Sequence, residues 1–483
     1  MTAAPESTAA PESIAKTIAG ELARRIVAMR YGDLPEQAIR WAKIGILDTV
    51  GVTLAGSVED CVRIVAGVEG IGAAAGPSLV FGTNRRVPAL DAALINGTAS
   101  HALDFDDVAE SVGGHPSVPL VSAIMALGEQ VDAGGKDIIL AYVVGFETES
   151  RIARAVHPYH YDRGWHPTTT IGVFGTVAAA ARILKLTEAE TAMALNLATS
   201  LAAGVKANFG TMTKPLHVGH SARSGVLAAL LAKGGFTAGK RAFEHPQGYF
   251  NVFNGAGNYD AAKVFEHWAD PLDIVKPGFG LKQYPCCGST HPAIDAVLKL
   301  RREKNINADD VAAIEVLTNP RRLPHTDKPE PRNGLEGKFS IQYVTLRALL
   351  DGRVVLGHFE DVAVRDPRIR KLLPLVRVGA HPEMPADSKE QFAAEVVVTT
   401  REGKKLSARV PHRICRGLAN PMSPDELWAK FEDCALRVLA PRQARPLFEM
   451  LERLDGVASI HDLTDAIAVR HDAFPKMERT IVG

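Results

Sequence analysis

From about Ser13 to Asp270, apolar residues recur at spacings of three and four, the period of helices with one buried face. ESIAKTIAGELARRIVAMRY and EQAIRWAKIGILDTVGVTLAG both show it, and GVFGTVAAAARILKLTEAETAMALNLATSLAAGV reads as two helices joined at Leu186. Thr187 and Glu190 form a capping-box pattern that starts the second of these. The pattern changes near Val275-Lys276-Pro277-Gly278. A helix in STHPAIDAVLKLRREKN is followed by a strand-like VAAIEVLTN at 311–319 and by AAEVVVTTREGKKLSARV, a hairpin turning at Glu402-Gly403. After Pro411 the chain returns to helices, and NPMSPDELWAKFEDCALRVL opens with Ser423, Pro424 and Glu426 in cap positions.

These periods predict a mainly α protein: a large all-helical domain built from N- and C-terminal segments, with an inserted α+β lid domain. The expected boundaries are a disordered tail over 1–14, helical domain over 15–275, lid over 276–411 and the helical remainder over 412–483. At 483 residues, more than one core is the default. Many alanines and glycines with only 6% aromatics imply close helix–helix contacts between small residues.

Acidic and basic residues balance at 55 each, so bulk charge draws the chain to neither nucleic acid nor an anionic membrane. No apolar run approaches the ~20 residues of a membrane span. The repeated TAAPES at the start lacks the basic and apolar segments of a signal peptide. The five cysteines include no C-x-x-C pair, which argues against a zinc ribbon. A reducing, cytoplasmic setting is the simpler expectation.

Candidate chemistry gathers in five segments. In NGTASHALDFDDVAESVGGHPSVPLV, Asp104, Asp106 and Asp107 end a helix carrying Asn96 and His101, and His115 follows on a glycine-flanked loop. Singly, each residue reads as a cap or turn filler. Together, carboxylate and imidazole on such a loop suit acid–base work. In RGWHPTTTIGVFG, His166 precedes a helix N-terminus, which would lower its pKa and favour a bound carboxylate, while His157 and His160 read as surface groups. In NFGTMTKPLHVGHSARSG, Lys214 is an anion anchor; His217 and His220 are spaced to share a metal, but no H-E-x-x-H pattern supports one. GFGLKQYPCCGSTHPAID brings Lys282, Tyr284 and His291 together, with Cys286 and Cys287 as weak nucleophile candidates. In KFSIQYVTLRALLDG, Tyr343 sits on a helix. There is no phosphate loop and no dinucleotide fingerprint. The set suits cofactor-free proton abstraction next to a carboxylate of a small polycarboxylate, its carboxylates clamped by lysine and histidine. The resulting carbanion can expel hydroxide, lose carbon dioxide or be reprotonated.

HALDFDDV…GGHPS, GWHPTTTIGVFG, KPLHVGHSARSG, GLKQYPCCGSTHPAID and FSIQYV…LLDG, in that order, resemble the MmgE/PrpD family of 2-methylcitrate dehydratases, cis-aconitate decarboxylases and iminodisuccinate epimerases. The resemblance implies a homodimer with no organic cofactor; the absence of an H-E-x-x-H pattern leads to the expectation of no metal. It places the decarboxylase branch's site on Asp104, His115, His166, Lys214, Lys282 and Tyr343. His115 and Asp104 would then handle the proton, His166, Lys214 and Lys282 would hold carboxylates, and Tyr343 would be a donor near the reacting carbon. Two positions depart from that branch: Val108 replaces a threonine, and Cys286 is read where a histidine follows the lid lysine by five residues. The leading expectation is a hydro-lyase of the dehydratase type. The alternatives are an epimerase of an imino- or amino-dicarboxylate, a cis-aconitate-type decarboxylase, and a non-catalytic polycarboxylate binder.

Overall fold

A computed structural model of the chain describes residues 16–411 and 415–469; the tail expected over 1–14 lies outside them. The described residues form two compact units. The first holds the residues through Ala102, Ala109–Gly278 and those from Val438 onward; the second holds Leu103–Val108 and Phe279–Arg437. Two features differ from the expected boundaries. The helix Pro424–Ala435 belongs to the second unit, and so does the six-residue strap Leu103–Val108, expected in the helical body.

The first unit is helical, apart from the two-residue pair β1 (Ser78–Leu79) and β2 (Arg86–Val87). Its centre is the helix Ala89–His101, gripped by Glu36–Gly56 on one side and Thr213–Lys233 on the other. Glycines make the grip possible. A Cβ on Gly97 would lie 2.7 Å from Gly219 Cα, one on Gly219 2.2 Å from Leu94 O, and one on Gly56 2.0 Å from Ala99 O. The small-residue composition is thus used where backbones touch. The capping box at Thr187 is formed: its hydroxyl accepts from Glu190 N–H, and its own N–H donates to Glu190 Oε2 at 2.8 Å.

The second unit is built on a mixed sheet in the order β4 (Val376–Ala380), β3 (Val311–Thr318), β5 (Ala394–Thr400), β6 (Lys405–Val410). The β5–β6 hairpin turns through Gly403 at φ +82°. The helices His291–Lys304 and Ile341–Asp351 join the sheet in one core, where Ile294, Val297 and Val344 pack with Ile314, Val316, Val396 and Val398. Ser423 closes its expected capping box with Glu426. No helix among the described residues is long and apolar enough to cross a membrane.

Because Leu94 O leaves no space for a side chain at position 219, Gly219→Val is expected to cost about 1–3 kcal/mol. Gly239→Ala, where a Cβ meets nothing within 4 Å, should stay within ~0.5 kcal/mol of the parent. Urea unfolding of both variants checks this.

Candidate active site

The aspartate-rich strap is held by lysines. Lys338 Nζ donates to Leu103 O at 2.8 Å, Lys282 Nζ to Asp104 O at 2.7 Å and Lys430 Nζ to Phe105 O at 2.9 Å. All three ammonium groups are buried. They come from three separate segments. Lys282 also pairs with Asp104 Oδ1 at 3.1 Å. Burial pulls the Lys282 pKa down, but the Asp104 and Asp106 carboxylates outweigh it and hold the ammonium above its ordinary value. Asp104 adopts φ +53°, a left-handed conformation that aspartate tolerates better than most residues.

His291 is buried, with Nε2 3.3 Å from Cys286 O. Burial, reinforced by Lys282 and Lys430, lowers its pKa to about 3, so it stays neutral and its Nε2–H donates to that carbonyl. Tyr284 lies edge-on to this ring at 5.1 Å, and its hydroxyl donates to Asp295 Oδ1 at 2.7 Å. Burial pushes the Cys286 and Cys415 thiols up to about 12 and raises Cys287 as well. Burial thus disfavours the thiolate at all three, which counts against the nucleophile reading. Five residues after Lys282 stands Cys287, so this half-exposed thiol, rather than the core residue Cys286, occupies the position compared with the decarboxylase histidine.

In the first unit the structure gathers imidazoles. His101 ends its helix with its ring 4.7 Å from that of His115 and 5.7 Å from that of His166. The His115 loop is docked by its backbone N–H, which donates to Thr168 Oγ1 at 3.1 Å. His166 Nδ1 lies 3.3 Å from Nδ1 of His217, and Phe209 meets the His166 ring edge-on at 4.8 Å. Lys214, in the first turn of Thr213–Lys233, lies 5.4 Å from the Phe209 ring centroid. The His166 pKa is well below normal, as expected, but the cause differs. Burial dominates, followed by His101, Lys214, His115 and His217, and the helix it precedes is only the single turn Pro167–Thr170.

Three expectations change. His160 is buried rather than a surface group: its ring lies 2.9 Å from Asn254 Oδ1 and 2.7 Å from Thr170 Oγ1, and burial lowers its pKa to about 4. It braces the turn behind His166. Tyr343 is a core residue of the second unit whose hydroxyl donates to His358 O and accepts from Arg347 Nε at 3.0 Å, so its donor is already used. Lys338 and Lys430 were missed. Lys430 had a visible signal, since it shares the buried stripe of its helix with Leu427, Phe431 and Cys434.

Residues 20–262 match the MmgE/PrpD N-terminal domain and residues 284–455 the MmgE/PrpD C-terminal domain. The chain is 29% identical over 463 residues to a cis-aconitate decarboxylase of Homo sapiens, covering 93% of this chain and 94% of that protein. A cis-aconitate decarboxylase of Aspergillus terreus is 25% identical over 465 residues, covering 90% and 92%. A 2-methylcitrate dehydratase of Cupriavidus necator is 26% identical over 392 residues, covering 75% and 78%.

The buried neutral imidazoles fix the acid response. His160 and His291 are depressed to about 4 and about 3, whereas unfolded histidine titrates near ~6.5. Between those values the unfolded chain binds more protons, so stability falls as pH drops below ~6.5. Asp273, raised to about 6 by burial and Glu147, acts the other way and is outnumbered. The urea midpoint should therefore fall from pH 7 to pH 4, with a shallower slope in His160→Gln.

Proposed function

The chain belongs to the MmgE/PrpD family, and from that premise we propose that it is a cofactor-independent lyase decarboxylating a small unsaturated tricarboxylate of the cis-aconitate type. The motifs alone rank loss of water first. The weight moves to loss of carbon dioxide because relatives named as decarboxylases align over nine-tenths of the chain, whereas the dehydratase aligns over three-quarters. The observation that carries the reading is the first unit's cluster, in which His101, His115, His166 and His217 stand with Lys214 and His166 stays neutral.

Decarboxylation leaves the electron pair of the broken C–C bond on carbon. That pair is stabilised when it can delocalise through the double bond onto a remaining carboxylate held by a cation. In the proposal Lys214 supplies that cation and His166 a neutral donor to the same carboxylate. His115 returns a proton to carbon, so carbon dioxide leaves and one proton is taken up. Asp104 and Lys282 form an ion pair of the second unit at 3.1 Å, and no part of this step is assigned to them. Tyr343 is left out because its hydroxyl already serves His358 and Arg347. Dehydration is the second reading, favoured by the dehydratase relative. It begins with proton removal beside a carboxylate and needs the same clamp.

Turnover of carboxyl-¹³C cis-aconitate in deuterated water should release labelled carbon dioxide and place one deuterium on carbon in the product. Loss of water from 2-methylcitrate with no carbon dioxide from aconitate would favour the dehydratase reading, and inertness toward both would end the proposal. Lys214→Ala should raise KM about 10- to 100-fold, the range for a lost charge-assisted hydrogen bond. Initial-rate kinetics measure it.

A further inference from the structure

His166 is 2% exposed, and its Nε2 makes no hydrogen bond among the described residues. Its other nitrogen is paired: Nδ1 stands 3.3 Å from Nδ1 of His217. We propose that His217 is a positioning residue whose Nδ1–H donates to His166 Nδ1, which fixes the His166 proton on Nε2 and presents it to a substrate carboxylate. The inference rests on the reading of a polycarboxylate substrate and adds to it a group that selects the tautomer.

Two neutral imidazoles facing each other through Nδ1 can hold one proton between those nitrogens, so the tautomer of one ring dictates that of the other. With the proton on His166 Nδ1, Nε2 would be a buried lone pair facing an anion. With the proton on His217 Nδ1, Nε2–H becomes a donor. Only the second arrangement binds a carboxylate without charging the ring. Neutrality is supported by burial, which lowers the pKa of both rings, and by Lys214, which lowers both further. The charged and titratable groups acting on His166 are His101, Lys214, His115 and His217; on His217 they are His220 and Lys214.

The backbone holds the pair in register. The His166 N–H donates to Gly204 O at 3.0 Å. Gly204, at φ +129°, lets the chain pass where a Cβ would lie 2.4 Å from Thr169 Oγ1 and 3.4 Å from the His217 ring. His217 is less buried than His166, so it is the ring that can be replaced with less disturbance.

The test uses the full chain with ¹⁵N-labelled histidine and no substrate, with the His166 signals assigned by their loss in His166→Gln. The expected spectrum shows a protonated Nε2 and a bare Nδ1 on His166. In His217→Phe, KM should rise about tenfold, the scale of one lost hydrogen bond, with kcat within about threefold. His217→Asn, whose carboxamide N–H can stand near the lost Nδ1–H, should recover most of that rise. A protonated Nδ1 on His166, an unchanged KM in His217→Phe, or an Asn variant no better than Phe would each overturn the assignment. If His217→Phe fails to fold, the wild-type spectrum and the Asn variant still decide it. The spectrum is independent of turnover. A correct tautomer whose Nε2 signal is unmoved by tricarballylate would uphold the positioning role and count against the polycarboxylate reading.

Discussion

Three buried ammonium groups on three consecutive carbonyls are the constraint from which the chemistry of the second unit follows. Lys338, Lys282 and Lys430 hold Leu103, Asp104 and Phe105 from three distant stretches of chain. An unpaired buried ammonium costs several kcal/mol, so each lysine needs its carbonyl, and the set needs negative charge nearby. Asp104 and Asp106 supply that charge to Lys282. The acidic strap is therefore a counterion array before it is anything else, and the left-handed turn at Asp104 is set within it. Asp104 thereby holds its carboxylate beside Lys282.

The first unit answers a different electrostatic problem. It collects imidazoles where a bound polyanion would bring its own negative charge. Burial favours neutral His166 and His217, so they donate or accept hydrogen bonds without adding positive charge beside Lys214. His160, also neutral, braces the turn behind His166 through Thr170. A neutral donor next to a cation can hold a carboxylate and still release it after reaction, whereas two buried cations would bind it too tightly.

The same reasoning explains why decarboxylases and a dehydratase share this architecture. Both reactions place an electron pair on a carbon conjugated to a carboxylate, and both gain from cations and fixed donors at that carboxylate. They differ in what leaves.

The sequence by itself determined the helical body, the inserted sheet, the capping boxes at Thr187 and Ser423 and the hairpin at Gly403. Each depends on residues within a few positions of one another, where local periodicity and cap chemistry decide the outcome. It also marked Asp104, His115, His166, Lys214 and Lys282, because charged and imidazole groups on glycine-flanked loops stand out from a small apolar background. Only the tertiary structure decided that His160 is buried, that the Tyr343 hydroxyl is already bonded, and that Lys338 and Lys430 meet the strap from 235 and 325 residues away. It also set the His166–His217 pairing. Burial and long-range pairing are properties of the packed chain, and the sign and size of an electrostatic effect depend on which distant groups share one desolvated volume.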